Sequence, residues 1–419
     1  MTDAPQGYYA ASAGALAGLP QLDGAVACDV CVIGGGFTGL SAALHLARAG
    51  AGVVLLEADT IGYAASGRNG GQIHPGHRKS QAELEAWLGD RHTRDLWRLS
   101  EEALDLIFTL GADGCDIKHG LVIAAHNASA ARDLAEETDD LRARYGVSGI
   151  RMMDQSETAS ELGTTIYPAA RLDMTGGHLH PLKFARRLAT LAVQAGAQLH
   201  ERSRAVRIQR TTQAIIRTAD GAVTAKQVIL ATDAFSGAIA PELGPYIAHV
   251  ESFLVATEPL NTKLNVLPDD AAVADTRHVL DYYRKSADNR LLFAGRESYW
   301  NVPKDIAAIV RPRMLRVFPQ LAATRIDHAW SGTVGITRTR MPHFGRLAAN
   351  MLFGHGYSGH GVALATLGGK ALAEAAMGNS ARFDTLASVP AAKFPGGPLL
   401  RKPMVTAALT MLKWRDGMG

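Results

Sequence analysis

Cysteine is scarce in this sequence, with three among 419 residues. Three thiols are too few for a disulfide framework and are typical of a protein in a reducing compartment. We therefore expect a cytoplasmic protein. Cys28 and Cys31 form a C-x-x-C, but a redox pair of this kind needs a helix N-terminus to lower the thiol pKa. Because the two residues lie in a predicted strand, we expect ordinary core cysteines.

Long apolar runs and an excess of one charge are also absent. No uncharged apolar stretch approaches the roughly 20 residues of a membrane-spanning helix, and no basic segment followed by an apolar run opens the chain. We therefore expect neither a membrane span nor a secretory signal. The net charge is only +3, from 43 basic and 40 acidic residues that are scattered, so nucleic acid is not an expected partner. His74 and His77 have no companion ligands, and no metal site is expected.

Glycine, in contrast, is placed with a pattern. The stretch CDVCVIGGGFTGLSAALHLARAGAGVVLLEA, at 28–58, reads as strand, glycine turn, helix and second strand. Gly34, Gly36 and Gly39 occupy the G-x-G-x-x-G positions, which permit a tight turn, close approach of a pyrophosphate and close packing of helix on strand. Glu57 ends the second strand, where an acid accepts hydrogen bonds from ribose hydroxyls. The segment predicts a dinucleotide site with the pyrophosphate at the helix N-terminus.

A second match to the glycine spacing occurs in GHGYSGHG, at 354–361. It stands between a short apolar strand and an alanine-rich helix, but no second strand and no strand-end acid follow it. Without that strand no crossover unit can seat an adenosine, so we expect one dinucleotide rather than two. The helix start would still suit the negative charge at the N1–C2=O edge of a reduced flavin. A glycine turn that merely admits a tightly packed helix is the alternative.

These loops, with ASGRNGGQ (65–72) and AKQVILATDAF (225–235), resemble the FAD-dependent oxidoreductases of the D-amino-acid oxidase and sarcosine oxidase superfamily. The resemblance spans nearly the whole chain. Within the superfamily, GGHLHPL (176–182), RMPHFGR (340–346) and FPGGPLLRKP (394–403) are most similar to the γ-glutamylputrescine oxidases. The resemblance implies noncovalently bound FAD and the oxidation of an amine C–N bond to an imine.

The fold class that the resemblance implies is α/β, with a discontinuous FAD-binding domain. This domain would be Rossmann-like, of the glutathione-reductase type, with an inserted α+β substrate domain built on an antiparallel sheet. The expected ranges are 28–80, 150–235 and 326–380 for the FAD-binding domain, 81–149 and 236–325 for the substrate domain, and 381–419 for a C-terminal extension.

Site residues carry over from the resemblance by position. The residues assigned to FAD are Gly34, Gly36, Phe37, Thr38, Gly39, Glu57, Ala58, Arg68, Asn69, Gly70, Gly71, Gln72, Val206, Thr232, Gly356, Tyr357, Ser358, Gly359, His360 and Gly361. The candidate catalytic residues are Tyr282, Tyr283, Arg296 and Trp300. In the predicted strand LDYYR, Tyr282 and Arg284 share one face and Tyr283 takes the other. Arg284 or Arg296 would receive a remote carboxylate of the substrate.

Two departures from relatives bear on the chemistry. Amino-acid oxidases of the superfamily carry an arginine after the tryptophan of the late W-x-G strand, whereas this chain has Val334, which favours an amine substrate. Sarcosine oxidases carry a lysine where this chain has Phe293. This difference leaves open whether oxygen is the electron acceptor. No cysteine follows Cys115, so a cysteinyl link to the flavin in the C-terminal segment is excluded.

The sequence therefore predicts a FAD-dependent amine oxidase. Its substrate would be a γ-glutamylated or otherwise substituted amine, and its electron acceptor oxygen, reduced to hydrogen peroxide, or another acceptor. One alternative keeps the fold but acts on a cyclic or N-alkyl amino acid such as pipecolate or proline. An alternative of another class is a FAD-binding module without turnover.

Overall fold

The computed structural model describes residues 7–16, 18–396 and 406, and its strands form two sheets. The predicted tail at 381–419 is therefore described only to residue 396 and at 406. Between these limits no helix is long and apolar enough to cross a membrane.

The first sheet has a parallel centre, in the order β17-β10-β1-β2-β7. Strand β16 joins β17, and β9 joins β10, in antiparallel fashion. Its strands are β1 (Gly24–Ile33), β2 (Val53–Leu56), β7 (Gln198–His200), β8 (Arg207–Gln209), β9 (Ala214–Arg217), β10 (Gly221–Leu230), β16 (His343–Ala348) and β17 (Met351–His355). The carboxyl ends of β1, β10 and β17 share one edge, where open α/β sheets bind their ligands.

The second sheet is antiparallel except where β12 pairs with β4. Its order is β15-β11-β14-β13-β12-β4-β6-β3, and β5 pairs with β6. Its strands are β3 (Gln72–Ile73), β4 (Lys118–Ala125), β5 (Ile150–Met153), β6 (Ala169–His178), β11 (Ile247–Thr257), β12 (Ala272–Asp275), β13 (Tyr282–Lys285), β14 (Leu291–Ser298) and β15 (Ile326–Thr337). The α/β class with an added antiparallel sheet, which the sequence predicts, is confirmed.

Helices alternate with these strands along the chain, and some of them begin or end at a capping residue. They are α1 (Tyr8–Ser12), α2 (Phe37–Arg48), α3 (Gln81–Leu88), α4 (Asp90–Gly111), α5 (Ala128–Tyr145), α6 (Gln155–Leu162), α7 (Pro181–Gln194), α8 (Ser236–Ile239), α9 (Ile306–Val317), α10 (Gly361–Ala376) and α11 (Ala381–Ala387). A capping box formed by Asp154 and Glu157 starts α6, and Gly163 in a left-handed conformation ends it. His180 caps α7, and Pro181 stands in the first turn, where the fixed φ of proline suits a helix.

Strand pairing divides the chain differently from the predicted domain ranges. β5 and β6 fall within 150–235 and β15 within 326–380, yet all three strands pair in the second sheet. Conversely, α4 falls within 81–149 but packs in one core with α2, α7 and α10. These strands are held by partners distant in sequence, which local pattern does not reveal. We propose that the second sheet as a whole forms the substrate domain.

The cysteines of β1 behave as the sequence predicts for core residues. Cys31 is fully buried and Cys28 partly so, and all three cysteines of the chain are free. Burial raises the pKa of the Cys28 thiol to about 11, which keeps it protonated and unreactive near neutral pH.

Two histidines meet across β16 and β17, where the Nδ1 atom of His343 lies 2.9 Å from Nε2 of His355. Burial lowers the pKa of His355 to about 3 and that of His343 to about 4. An unfolded histidine takes up a proton near pH 6.5. The folded state therefore binds fewer protons than the unfolded state below pH 6.5, and stability is lost progressively as the pH falls from there towards 4.

Removing one of these histidines should flatten this pH dependence. For His355→Gln we expect the free energy of unfolding to fall less steeply between pH 6.5 and 4.5, by up to about 1.4 kcal/mol per pH unit. Chemical unfolding followed by circular dichroism across this range measures the slope, with the exposed His119→Gln as the control. Identical slopes in His355→Gln and the wild type would show that His355 is not held neutral by burial.

Candidate active site

The glycine loop after β1 is built as the fingerprint predicts. Gly34 has φ +115°, and a Cβ there would overlap the carbonyl oxygen of Ala231. A Cβ at Gly39 would overlap the carbonyl oxygen of Gly34, so helix α2 can lie this close to the strand end only with glycine at position 39. Helix α2 then begins at Phe37 and directs its first N–H groups towards the edge of the sheet.

Glu57 stands at the end of β2 beside this loop. Its carboxylate accepts hydrogen bonds from the N–H of Gly35, at 2.6 Å, and the N–H of Asp59, at 2.8 Å. Burial raises the pKa of Glu57, and these backbone donors oppose the rise. The two backbone hydrogen bonds thus fix the carboxylate beside the loop, and its remaining lone pairs can accept further hydrogen bonds.

The late glycine loop lies directly against the early one. The hydroxyl of Thr38 donates to the hydroxyl of Tyr357 at 2.8 Å, across 319 positions of sequence. A Cβ at Gly369 of α10 would overlap the carbonyl oxygen of Thr38, so α10 and α2 touch backbone to backbone. Gly356 has φ +76°, and a Cβ there would overlap the side chain of Thr337. Both glycine loops therefore face one site.

The 65–72 stretch is hydrogen-bonded to the early loop and to β15. The hydroxyl of Ser66 accepts the N–H of Phe37 at 3.0 Å, and Asn69 Oδ1 accepts the N–H of Gly71 at 2.7 Å. Arg68 donates to the carbonyl oxygens of Tyr63 and Ser331. The hydrogen bonds of these side chains fix the conformation of the 65–72 stretch. This stretch and the start of α2 border the same opening.

A cavity of about 1030 Å³ joins these elements, large for a ligand site and lined at one side by the second sheet. The predicted cofactor residues that line it are Gly34, Gly36, Phe37, Thr38, Glu57, Ala58, Arg68, Asn69, Gly70, Gln72, Thr232, Tyr357, Ser358, Gly359, His360 and Gly361. Gly39, Gly71 and Gly356 lie behind the lining. Val206 is not among the residues that line the cavity; it is 59% exposed, and its N–H donates to the carbonyl oxygen of Arg217. The remaining residues offer a cradle that fits FAD.

Among the predicted catalytic residues, Tyr282 and Arg296 line the cavity and two others do not. Tyr283 points to the opposite face, where it stacks on Phe293 with ring centroids 5.3 Å apart and is buried in a core. The alternation of Tyr282 and Tyr283 is as predicted, but a catalytic role for Tyr283 is wrong. Trp300 is 55% exposed and lies outside the lining.

Two further expectations are corrected by burial. Arg284 cannot receive a substrate carboxylate, because it is buried and donates to the carbonyl oxygen of Gly70 and the hydroxyl of Tyr9. Phe293 lies in the core with Tyr283, so its side chain does not stand where a lysine would meet the ring. Val334 does line the cavity.

Sequence reasoning overlooked Asp233, which follows β10. Its carboxylate is partly buried, lines the cavity and accepts the N–H of Gly356 at 2.7 Å, and the backbone N–H groups of Ala234, Gly335 and Tyr357 also stabilise its charged form. Burial raises its pKa, against the effect of these donors. A carboxylate just after a parallel strand of the sheet is the signal that could have revealed it.

Two histidines that line the cavity, His74 and His360, are held in the neutral form. The rings of His74 and His360 lie 4.7 Å apart. Burial, with the charges of Arg78 and Arg171, lowers the pKa of His74 to about 3, and burial with the neighbouring His74 and Arg78 lowers the pKa of His360. In the parts of the chain that the structure describes, no group of three metal-ligating side chains converges.

We propose that Tyr282 would orient a ligand rather than remove a proton. Its ring lies against Gly70, and its hydroxyl is 3.0 Å from that of Ser252. Burial raises its pKa to about 12, so it stays protonated at working pH. We expect Tyr282→Phe to slow anaerobic flavin reduction by less than about tenfold and to leave the shape of its pH profile between 6 and 10 unchanged. Loss of an alkaline limb in stopped-flow measurements of the variant would contradict this assignment.

Comparison with known proteins identifies the family of the chain. The family model described as FAD dependent oxidoreductase matches residues 29–375. The chain is 39% identical over 426 residues, and 100% of both chains, to the gamma-glutamylputrescine oxidoreductase of Escherichia coli strain K12. The crystal structure of glycine oxidase from Geobacillus kaustophilus superimposes with a TM-score of 0.72 at 19% identity, covering 84% of this chain and 95% of that one. The crystal structure of L-proline dehydrogenase from P. horikoshii superimposes with a TM-score of 0.71 at 20% identity, covering 85% of this chain and 93% of that one. The chain therefore belongs to the family of FAD-dependent oxidoreductases that oxidise amines and amino acids.

Proposed function

We propose that this enzyme oxidises a C–N bond of a γ-glutamylated amine, such as γ-glutamylputrescine, to an imine. The observation that carries the proposal is the full-length identity of 39% to the Escherichia coli relative of that name. Water would hydrolyse the imine to an aldehyde and an amine, which is ammonia when a primary amine is oxidised. Oxygen would receive the two electrons and two protons and leave as hydrogen peroxide.

The residues of the chain would bind, orient and shield the substrate. FAD, when bound, supplies the ring that accepts a hydride from the carbon next to nitrogen. The early loop would hold its diphosphate at the start of α2, and the start of α10 would face the pyrimidine edge of the ring. The absence of cysteine after Cys115 supports noncovalent attachment in this part of the chain. Neutral His74 and His360 rings spare the amine any repulsion from an imidazolium.

An aliphatic side chain at Val334 supports an amine rather than an α-amino acid as substrate. It lines the cavity where relatives that oxidise amino acids carry an arginine, and so provides no bidentate partner for a carboxylate next to the reacting carbon. Oxidation of proline or pipecolate remains the second candidate, since the L-proline dehydrogenase shares the fold. A cytoplasmic location is proposed from the three free cysteines.

Anaerobic mixing with a substrate panel tests the proposal. The panel contains γ-glutamylputrescine, putrescine, N-acetylputrescine, L-proline and pipecolate. We expect γ-glutamylputrescine to bleach the flavin band fastest, and admission of oxygen to yield one peroxide per reduced flavin. Rapid bleaching by proline or pipecolate alone would reverse the ranking. Bleaching by none of them would favour a binding module, and reoxidation without peroxide would replace oxygen by another acceptor.

A further inference from the structure

The helix α1 precedes both sheets in the chain, yet its two tyrosines are almost completely buried. Tyr8 is 4% exposed and Tyr9 is 2% exposed. They pack in one apolar cluster with Leu254, Leu292 and Trp330 of the second sheet. A helix of five residues is not stable in water through its own hydrogen bonds. Contacts with the second sheet therefore fix α1 in place.

Two hydrogen bonds in series connect α1 to the 65–72 stretch. The hydroxyl of Tyr9 accepts an N–H of Arg284 Nη2 at 3.1 Å, and Arg284 Nε donates to the carbonyl oxygen of Gly70 at 2.7 Å. Arg284 Nη1 donates to the carbonyl oxygen of Lys285. Within the part of the chain that the structure describes, none of the three acceptors is a carboxylate. A buried cation in this setting depends on each of its oxygen partners.

Trp330 makes a second connection between α1 and the same stretch. Its ring lies edge-on to that of Tyr9, with the centroids 5.3 Å apart, and its Nε1–H donates to the carbonyl oxygen of Arg68 at 3.0 Å. A Cβ at Gly7, just before α1, would lie 2.8 Å from the indole, so the start of the helix is packed directly on it. The carbonyl groups of Arg68 and Gly70 thus both accept hydrogen bonds from side chains that contact Tyr9.

Arg284 supports the backbone of Gly70 and Gly71 from outside the cavity. Gly70 and Tyr282 line the cavity, whereas Arg284 is not among the lining residues. A Cβ at Gly70 would overlap the ring of Tyr282, and a Cβ at Gly71 would lie 2.9 Å from Arg284 Nη2. Because these groups are in close contact, a shift of the guanidinium would also shift Gly70 and the tyrosine ring beside it.

We propose that Tyr9 and Arg284 are positioning residues, which hold the Gly70 carbonyl so that the 65–72 stretch can bind FAD. The N-terminal helix is then part of the cofactor site, although it precedes the glycine fingerprint and its residues do not line the cavity. The proposal rests on the assignment of the 65–72 stretch to FAD and is independent of which amine is oxidised.

Tyr9→Phe tests this role, because it removes the hydroxyl and keeps the ring. Arg284 would lose one acceptor and would hold Gly70 less firmly. We expect the dissociation constant of FAD to rise on the order of tenfold. In the FAD-loaded enzyme, amide hydrogen exchange of peptides that cover 65–72 should become faster by a similar factor, whereas peptides from β1, α2 and β2 should exchange as in the wild type.

Tyr8→Phe provides the matched control. Tyr8 belongs to the same helix and is buried like Tyr9, but its hydroxyl donates to Asp288, at 2.6 Å, and not to the chain of bonds that reaches the cofactor site. This variant should leave FAD affinity and the exchange of 65–72 within about twofold of the wild type. Equal effects of the two variants would indicate a merely structural helix and overturn the proposal, as would the absence of any effect in Tyr9→Phe.

Arg284→Lys gives a second measurement. A single ammonium group cannot replace the fork that joins Gly70 to Tyr9. If the hydroxyl acts through the guanidinium, adding Tyr9→Phe to Arg284→Lys should weaken FAD binding by less than about twofold more. The full effect of Tyr9→Phe in the lysine background would overturn the proposal. If Arg284→Lys does not retain FAD, the comparison of the two tyrosine variants decides.

The measurements use no substrate, so they separate this proposal from the proposed function. Failure of γ-glutamylputrescine to bleach the flavin would refute the function and leave the role of Tyr9 and Arg284 intact. Wild-type FAD affinity and hydrogen exchange in Tyr9→Phe would refute that role and leave the function intact.

Discussion

Asp233→Ala is expected to yield a protein that no longer retains FAD. The Asp233 carboxylate is partly buried and accepts the N–H of Gly356, and the N–H groups of Gly335, Tyr357 and Ala234 also stabilise its charge. Its removal leaves the N–H of Gly356 without this acceptor, at a cost of about 1–3 kcal/mol, and takes away the charge that the other three N–H groups face. The late loop would then no longer be held beside α2. Since about 1.4 kcal/mol is tenfold in affinity, we expect FAD binding to weaken by on the order of 100-fold or more.

Absorbance of the purified protein and titration with FAD of the apoprotein measure this loss. Asp233→Asn keeps one oxygen for the Gly356 N–H and should lie between the alanine variant and the wild type. The control is Asp139→Ala on the surface of α5, where the carboxylate is 81% exposed. A yellow Asp233→Ala protein with the affinity of the wild type would show that the late loop does not depend on this carboxylate.

Gly39→Ala should have a comparable effect from the other side of the site. A methyl group at position 39 would overlap the carbonyl oxygen of Gly34, and that carbonyl belongs to the turn at the end of β1. Helix α2 would have to move away from the strand, and its first N–H groups would leave the position of the diphosphate. Overpacking of this kind costs about 1–3 kcal/mol in stability. The larger effect should be on FAD, with affinity lowered by on the order of 100-fold.

Thermal unfolding and FAD titration of the same variant separate the two effects. Gly18→Ala is a suitable control, because a Cβ at Gly18 would meet no atom within 4 Å. The expectation fails if Gly39→Ala is purified with the flavin content of the wild type, since the close approach of α2 would then be unnecessary for binding.

The sequence pattern was sufficient to predict those parts of the site that lie within one short segment. Gly34, Gly39 and Glu57 serve one βαβ unit of about thirty residues, whose turn, helix and strand follow from spacing alone. The alternation of Tyr282 and Tyr283 was also readable, because successive side chains of a strand point to opposite faces. The sequence did not show which of the two faces meets the cavity, because strands β12 and β14 and the loop at Gly70 form the surroundings of β13.

The sequence by itself determined the family, the cofactor and the early glycine loop, because those signals lie in contiguous residues. Only the tertiary structure decided that β5, β6 and β15 join the second sheet, and that the Arg284 guanidinium is buried and donates to the carbonyl oxygen of Gly70 and the hydroxyl of Tyr9. The physical reason is that pairing, burial and local charge depend on neighbours contributed by distant parts of the chain. Thr38 and Tyr357 illustrate this dependence, since one hydrogen bond unites the two glycine loops into a single site.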